Sequence, residues 1–377
     1  MEQSFTPARK LPFNHLHVFL GARMGTYSGW NVPISYLGIL KEWEIIRNHV
    51  GIFDISHMGR LFVSGDKAES FLNHTTTRQI KSLNNGKLLN ALILNVKAGI
   101  VDDITVYKLS DAHFFLCVNA ANTARVLEHM RTMSDDFGVD IVNASKFDVQ
   151  LAIQGPKSED ALVKAIKQME TIKTIPFYGF KELSLESLST PMLVSRTGYT
   201  GEDGFEFYMH KPQAEWLLDK LFNLDEAVRP KMCGFGARDV LRLEAGYCLH
   251  GNDISEHTNP IEAGLQFAVS LNKPNFVGKK ELIKQSSKGV RLKRVGLSSA
   301  SSRVPRKGQW ILLQDKKIGT ITSGTYSPFL KKGIAMGYVG ITYAKPDTSL
   351  RIGDESKRSY IQASITSLPF YKPKTKR

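Results

Sequence analysis

The pattern of apolar and polar positions changes character twice along the chain. Between Phe13 and Val50 apolar residues recur near helical spacing, with Leu37, Leu40, Ile45, Ile46 and Val50 on one stripe and Gly51 as a stop. This predicts helix, turn, helix, with Gly25–Trp30 as a loop that holds a large aromatic. Arg60–Ser64 reads as a strand, and Asp66 with Glu69 three residues on has the spacing of a capping box at a helix start. Residues 88–118 then read as three strands, Leu88–Asn95, Gly99–Leu109 and Phe114–Val118, followed by a helix Asn122–Met133. Strands followed by a helix inside a helical frame predict an α+β unit inserted into another domain. Asp148–Ile153, Met192–Arg196 and Phe205–Met209 are further strands; Pro156 and Pro212 open helices, and Ala237–Ala245 is a third helix. After about residue 290 helical periodicity stops. Trp310–Gln314, Ile318–Thr322, Ile334–Val339 and Ser359–Ile365 are short strands between turn residues, the spacing of a small β-barrel.

With 377 residues the chain is long enough for two or three such units. The three cysteines (Cys117, Cys233, Cys248) are far apart and odd in number, which argues against a disulfide framework and fits a reducing compartment. No stretch reaches the roughly 20 uninterrupted apolar residues of a spanning helix, and Glu2, Arg9, Lys10 and the polar residues after them lack the apolar core of a signal peptide. Membrane and secreted classes are thereby excluded, and the chain reads as cytoplasmic with no targeting peptide. Its net charge of +14 is unevenly placed. From Lys273 to Arg377 there are 23 Lys/Arg against 5 Asp/Glu, a net of +18, so the first 272 residues carry 27 against 31, a net of −4. Such a field favours anionic partners without choosing among them.

The candidate chemistry is carboxylate-based. The ten histidines are scattered, and there is no HExxH, clustered Cys/His pair or GxSxG elbow, so no metal is expected. The segment Gly198–Gly204 is glycine-rich but lacks Lys-Ser/Thr and precedes a strand, which fails the phosphate-loop pattern. It is dense in ionisable groups (Arg196, Tyr199, Glu202, Asp203, Glu206), more than a turn needs, and reads equally as a plain hairpin turn or as a ligand-facing loop. Asp102 and Asp103 interrupt an apolar strand, and strand neighbours point to opposite faces. One of them therefore shares a face with Val101 and Thr105, where a carboxylate is costly without a partner or a role. The alternative is an edge strand that uses charge against aggregation.

Several segments together resemble the aminomethyltransferases, the T-proteins of the glycine cleavage system. They are Leu20–Tyr36, Val50–Gly59 (VGIFDISHMG), Gly99–Tyr107 (GIVDDITVY), Val118–Asn122 (VNAAN), Gln154–Pro156, Ser195–Glu206 (SRTGYTGEDGFE), Gly234–Ile254, Ile318–Gly324 and Leu368–Tyr371. They span the chain from about residue 13 to its end. The resemblance implies an α+β, three-domain cloverleaf around a central folate site, with a ferredoxin-like inserted domain and a C-terminal β-barrel. The expected units are 1–54 with 145–250, 55–144 with 251–289, and 290–377. It implies transfer of an aminomethyl group from the lipoyl arm of H-protein to tetrahydrofolate, releasing ammonia. Tetrahydrofolate is then the co-substrate and lipoylated H-protein the partner; no metal, nucleic acid or membrane is involved.

Carried over by motif, the second Asp of GIVDD, Asp103, is the implied catalytic carboxylate, and Glu206 the implied pterin-binding one. Asn119, Tyr199 and Arg238 complete the implied folate site, with Met58 packing nearby. The sequence departs from the family pattern in four places. Asn90 stands where a tyrosine is usual and Lys372 where an arginine often sits; both belong to the implied folate-binding set. Ala98 precedes Gly99 where two glycines are usual, and Phe267 stands where tryptophan is common. The competing class is a folate-binding relative that is not a transferase, of the iron–sulfur or tRNA-modification type, or a degenerate paralogue. Such relatives carry a Lys-Gly-Cys-x-x-Gly-Gln-Glu type motif, which Leu249–Ile254 lacks. Demethylating oxidases would need a flavin module, and a nucleic-acid binder would need a recognition helix or an aromatic-basic strand.

Overall fold

The computed structural model describes residues 7–143, 149–185, 188–354 and 359–375. Three β-structures organise it. The first is a six-stranded sheet in the order Phe180–Leu183, Met192–Ser195, Gly204–Met209, Val149–Gln154, Gly51–Asp54, Lys231–Met232. Alternate residues of its strands (Leu151, Ile153, Phe205, Phe207, Met192, Val194) form one core with the helices Ser158–Ala165 and Lys211–Phe222. The opposite face is divided. Phe53 and Ala152 lie under the helices Ile39–Asn48 and Phe235–Glu244, while Leu193 and Tyr208 face the second sheet.

The second sheet interrupts the first in sequence. Its order is Leu88–Leu94, Ile100–Ser110, His113–Val118, Gly59–Ser64, Asp140–Asn143, antiparallel throughout. With the helices Ala68–Thr75 and Thr123–Phe137, the last four strands make the strand–helix–strand–strand–helix–strand arrangement of a ferredoxin-like fold. Leu88–Leu94 adds an extra edge. The strand His113–Val118 is apolar on both faces because both are covered. Phe114, Leu116 and Val118 meet its own helices, and Phe115 and Cys117 meet the first sheet. The third structure is a closed six-stranded barrel, Leu292–Ser299, Lys332–Gly340, Lys316–Ser327, Trp310–Leu313, Ser349–Gly353, Tyr360–Thr366, and closure leaves it no open edge.

Buried charge fixes the barrel against the first sheet. Arg47 donates to Glu202 Oε1 at 2.8 Å and to Glu244 Oε2 at 2.7 Å, and Ser327 of the barrel donates to Glu244 Oε1 at 2.6 Å. The Tyr371 hydroxyl reaches Glu202 Oε1 at 2.7 Å, and its backbone N–H reaches Glu244 O at 2.7 Å.

Four local expectations are corrected. The segment Gly25–Trp30 is not a loop between helices but the centre of a hairpin, Arg23–Tyr27 with Trp30–Ser35. Its two turn residues, Ser28 and Gly29, have φ of 48° and 77°, the left-handed pair that matches hairpin twist. The helix after Asp66 starts at Ala68 with no side-chain cap, and Glu69 instead accepts from Lys108 Nζ at 2.6 Å. The helix after Pro156 starts at Ser158. The barrel has two further strands, Leu292–Ser299 and Ser349–Gly353, whose charged or serine-rich sequences hide their alternation. Asp148, expected to begin a strand, lies outside the described residues; the strand runs Val149–Gln154.

Candidate active site

The paired aspartates divide their roles by strand geometry. Val101 is the extra residue of a bulge opposite Ile93 and Leu94, so it turns into the helix-packed core with Ile104 instead of sharing a face with Thr105. Asp103, Thr105 and Tyr107 alternate onto the face turned toward the first sheet. Asp102 is fully buried, which raises its pKa, and three donors oppose that shift: Asn119 N at 3.0 Å, Asn119 Nδ2 at 2.8 Å and Asn122 Nδ2 at 2.6 Å. This aspartate is an anchor. Asp103 is only partly enclosed and accepts one side-chain bond, from the same Asn119 Nδ2 at 2.8 Å. Burial, and then the charge of Asp102, push the Asp103 carboxyl well above the usual carboxylate range. Asn119 opposes that shift by hydrogen bonding. A carboxyl poised upward and reachable from the seam between the sheets is suited to exchanging a proton with a bound amine.

Glu206 sits across the seam on Gly204–Met209 and accepts from Thr197 Oγ1 at 2.8 Å. Burial raises its pKa, while the Arg238 guanidinium pulls the other way. Arg238, in the first turn of Phe235–Glu244, lies 4.8 Å from the centre of the Tyr199 ring. Tyr199 in turn stacks on Tyr247 at 5.6 Å and donates to Cys248 O. The Tyr199 hydroxyl also feels the charge of Asp103 as well as that of Arg238. Asp103, Asn119, Tyr199, Arg238 and Glu206 thus occupy one electrostatic neighbourhood. Met58 packs between the hydrophobic clusters beneath it.

Asn90 hydrogen-bonds Tyr178: its Nδ2 donates to the Tyr178 hydroxyl at 2.7 Å, and its Oδ1 accepts from Thr105 at 3.3 Å. Tyr178, held at φ 59°, brings an aromatic ring beside the position where the family pattern led us to expect a tyrosine. Burial raises its hydroxyl to about 12, and Glu206 adds to the shift. Lys372 is not drawn into this cluster. It is exposed, between Tyr371, bound to Glu202, and Lys374, whose N–H donates to Gly201 O.

The sequence reading missed Tyr178, Tyr247 and an aromatic wall made by Tyr27, His57 and Phe235. His57 lies 4.8 Å from Phe235 and 5.7 Å from Tyr27, ring centre to ring centre. Burial, reinforced by Arg238, pushes its imidazole down to about 3, so it is neutral. His57 Nδ1 and Arg238 Nη1 are buried with no hydrogen-bond partner among the described residues, the condition of a site shaped for a polar ligand. Nothing in the sequence marks these rings as neighbours.

Three upward-shifted carboxyls, a guanidinium and stacked tyrosines are thus gathered around the seam between the sheets, the make-up of an enzyme site. The comparisons narrow the class. Residues 13–273 match the family described as the GCVT N-terminal domain, and residues 293–372 the glycine cleavage T-protein C-terminal barrel domain. Proteins named aminomethyltransferase from Thermoanaerobacter sp. (strain X514) and Thermotoga maritima are each 38% identical, over 369 and 374 residues, covering 98% of this chain and 99% of theirs. One from Oceanobacillus iheyensis is 40% identical over 357 residues, 93% of this chain and 95% of its own. The crystal structure of glycine cleavage system aminomethyltransferase T from Bartonella henselae superposes with a TM-score of 0.90 at 34% identity, covering 97% of this chain and 98% of that one. The chain belongs to the glycine cleavage T-protein family. No helix among the described residues is long and apolar enough to cross a membrane.

Proposed function

We propose that the chain is an aminomethyltransferase that moves the aminomethyl carbon from the lipoyl sulfur of H-protein to tetrahydrofolate. The carbon–sulfur and carbon–nitrogen bonds of the aminomethyl group break, and the carbon joins N5 and N10 of the folate. The two protons leaving those nitrogens end on the lipoyl thiol and on ammonia, which departs as ammonium. The observation that carries this reading is the Asp102–Asn119–Asp103 arrangement: burial raises both carboxyls, three donors oppose the shift at the buried Asp102, and Asp103, raised further by Asp102, is the one left partly exposed. Asp103 orients the folate amine and helps its proton leave. Glu206 accepts the paired N–H donors of the pterin edge, as a carboxylate accepts a guanidinium. Arg238, Tyr199, Asn119, Met58 and Asn90 line the remainder; Lys372, exposed and outside the cluster, is left out of the proposed site. The alternative of a folate binder without transferase activity has no support among the relatives cited.

The test is tetrahydrofolate-dependent ammonia release from an aminomethyl-loaded, lipoylated H-protein. Release stoichiometric with methylenetetrahydrofolate is expected; folate binding without release would leave a binding-only relative, and no binding would leave the fold alone. Glu206→Ala is expected to weaken folate binding with the fold intact. The +18 of the last 105 residues supports steering of an acidic partner. The KM for H-protein should therefore rise with ionic strength across the physiological range, and a flat KM would remove steering.

A further inference from the structure

Tyr178 is held in a conformation that a bulky residue avoids. Its φ of 59° lies in the left-handed region, which suits glycine and is an outlier for a large aromatic. Gly179 follows it directly, yet the positive φ falls on the tyrosine. Such strain persists only where the surrounding structure over-determines it, and it clusters where ligands are held.

The bonds that impose this conformation span the seam. The Tyr178 N–H donates to Arg196 O at 3.1 Å, and the Leu88 N–H donates to Tyr178 O at 3.0 Å. Arg196 lies between Ser195, the registered partner of Glu206, and Thr197, which donates to Glu206 Oε2 at 2.8 Å. Leu88 begins the strand Leu88–Leu94 of the second sheet. One residue is thus anchored beside Glu206 by its N–H and to the sheet of Asp103 by its carbonyl. The side chain follows the carbonyl. Its hydroxyl accepts from Asn90 Nδ2 at 2.7 Å, and Asn90 Oδ1 accepts from Thr105 Oγ1 at 3.3 Å. Asn90 is the registered partner of Thr105, so both emerge on the face that carries Asp103. The ring meets Phe177 edge to face, with centres 4.5 Å apart, and Tyr178 remains partly exposed. Burial, and then Tyr247, raise the phenol to about 12, so it is neutral near pH 7.

We infer that Tyr178 is the ring on which the flat pyrimidine half of the pterin stacks, and that Asn90 is a positioning residue acting through the hydroxyl it holds. This rests on the reading of Glu206 as the pterin contact and of Asp103 as the contact to the folate amine. Two carboxyls grip the edge of a flat ring; its face needs a surface as well. An aromatic side chain supplies that surface at low conformational cost, because it has few torsions to freeze. Tyr178 is tied by its main chain beside one carboxyl and by its hydroxyl to the sheet of the other, so its ring lies along the path between them. A tyrosine at position 90 would emerge on the same face and bring a ring to where the Tyr178 hydroxyl now ends.

The variants separate ring, hydroxyl and packing. Tyr178→Gly removes the ring at a position whose φ glycine adopts freely, so the backbone is relieved as the ring is lost. Tetrahydrofolate affinity should fall about 10–100-fold, the range for a planar base that loses its aromatic platform. Tyr178→Phe keeps the ring and loses the tie to Asn90, so affinity should fall by less than about tenfold. Asn90→Ala should have a similar effect alone and add nothing to Tyr178→Phe. Asn90→Tyr placed in Tyr178→Gly should restore most of the lost affinity, which a purely structural role for Tyr178 does not predict.

The experiment is anaerobic calorimetric titration of the full chain and these variants with tetrahydrofolate, with thermal melts and near-UV circular dichroism alongside. Tyr178→Leu, which keeps bulk without a planar ring, serves in both backgrounds if Tyr178→Gly does not fold. The expected result is the graded loss above, its restoration by Asn90→Tyr, and melting temperatures that do not follow the affinities. Unchanged affinity without the ring, or a loss that Asn90→Tyr leaves unrestored, with Glu206→Ala still weak, would overturn the inference and leave Glu206 as the contact. Additive losses for Asn90→Ala and Tyr178→Phe would overturn the positioning role of Asn90. Unaltered binding by Glu206→Ala would overturn the reading on which all of this rests.

Discussion

Replacing Asp103 by asparagine separates its shape from its charge. The amide keeps an oxygen where Asn119 Nδ2 now donates at 2.8 Å, and Asp102 retains its three donors, so the local frame should survive. Folate affinity should change by less than about tenfold, the value of one ordinary hydrogen bond. Turnover should fall by about 10²–10⁴, the range for a lost acid–base group, or roughly 3–5 kcal/mol of barrier. Stability should move the other way. Burial and Asp102 raise the folded pKa of Asp103, so its contribution is fully present below the unfolded carboxyl value and is lost as pH rises through the raised one. Asparagine cannot ionise, and the variant should melt higher than the native chain at pH near 8, with the gap closing toward pH near 4. The assays are ammonia release under single-turnover conditions, equilibrium titration with tetrahydrofolate, and thermal melts across that pH range. Full turnover would remove Asp103 from the chemistry. Loss of affinity in proportion to turnover would make it a binding group, and a lower melting temperature near pH 8 would refute the account of its raised pKa.

Three other substitutions test the frame around it. Asn119→Ala withdraws the donor shared by both aspartates and should cost about 2–3 kcal/mol in denaturant unfolding, since a buried carboxylate loses its partner. Arg47→Met leaves Glu202 and Glu244 buried without their cation and should cost about 3–5 kcal/mol; an effect under 1 kcal/mol would mean the barrel is held by apolar contact alone. Gly99→Ala would place a Cβ 1.8 Å from Glu256 O, so the turn before Asp102 must shift, at a cost of about 3 kcal/mol and with reduced turnover.

Much of the architecture was legible because periodicity survives wherever one face is buried. The inserted sheet and the proline-opened helix Lys211–Phe222 follow directly from it. The hairpin at Gly25–Trp30 was not, because a two-residue turn of Ser28 and Gly29 lacks the usual asparagine–glycine signature. Among the departures from the family pattern, Ala98 matters more than its small size suggests: it sits at φ 64°, the left-handed region that favours glycine. The replacement at Asn90 was legible as a loss of aromatic area, but not its setting. Tyr178 lies 88 positions away and reaches Asn90 only because the first sheet folds against the second.

The residues proposed for the site lie where two structures meet, and this sets how the site responds to distant change. Asp103 and Tyr107 are on one sheet; Glu206, Tyr208 and Ser195 are on the other. Their spacing is fixed by sheet-on-sheet packing of Phe115, Leu193 and Tyr208, with no local turn involved. The barrel enters through Tyr371, whose hydroxyl binds Glu202, in the glycine-rich loop four residues before Glu206 and leading into its strand. Arg47 ties that carboxylate to Glu244 and so to Ser327 of the barrel. A displaced barrel would therefore move the loop that presents Glu206 before it disturbed Asp103, whose support comes entirely from Asn119 and its own strand. Substitutions in the barrel contact should act on folate KM first and on kcat second, whereas substitutions around Asn119 should act on kcat with smaller effects on KM.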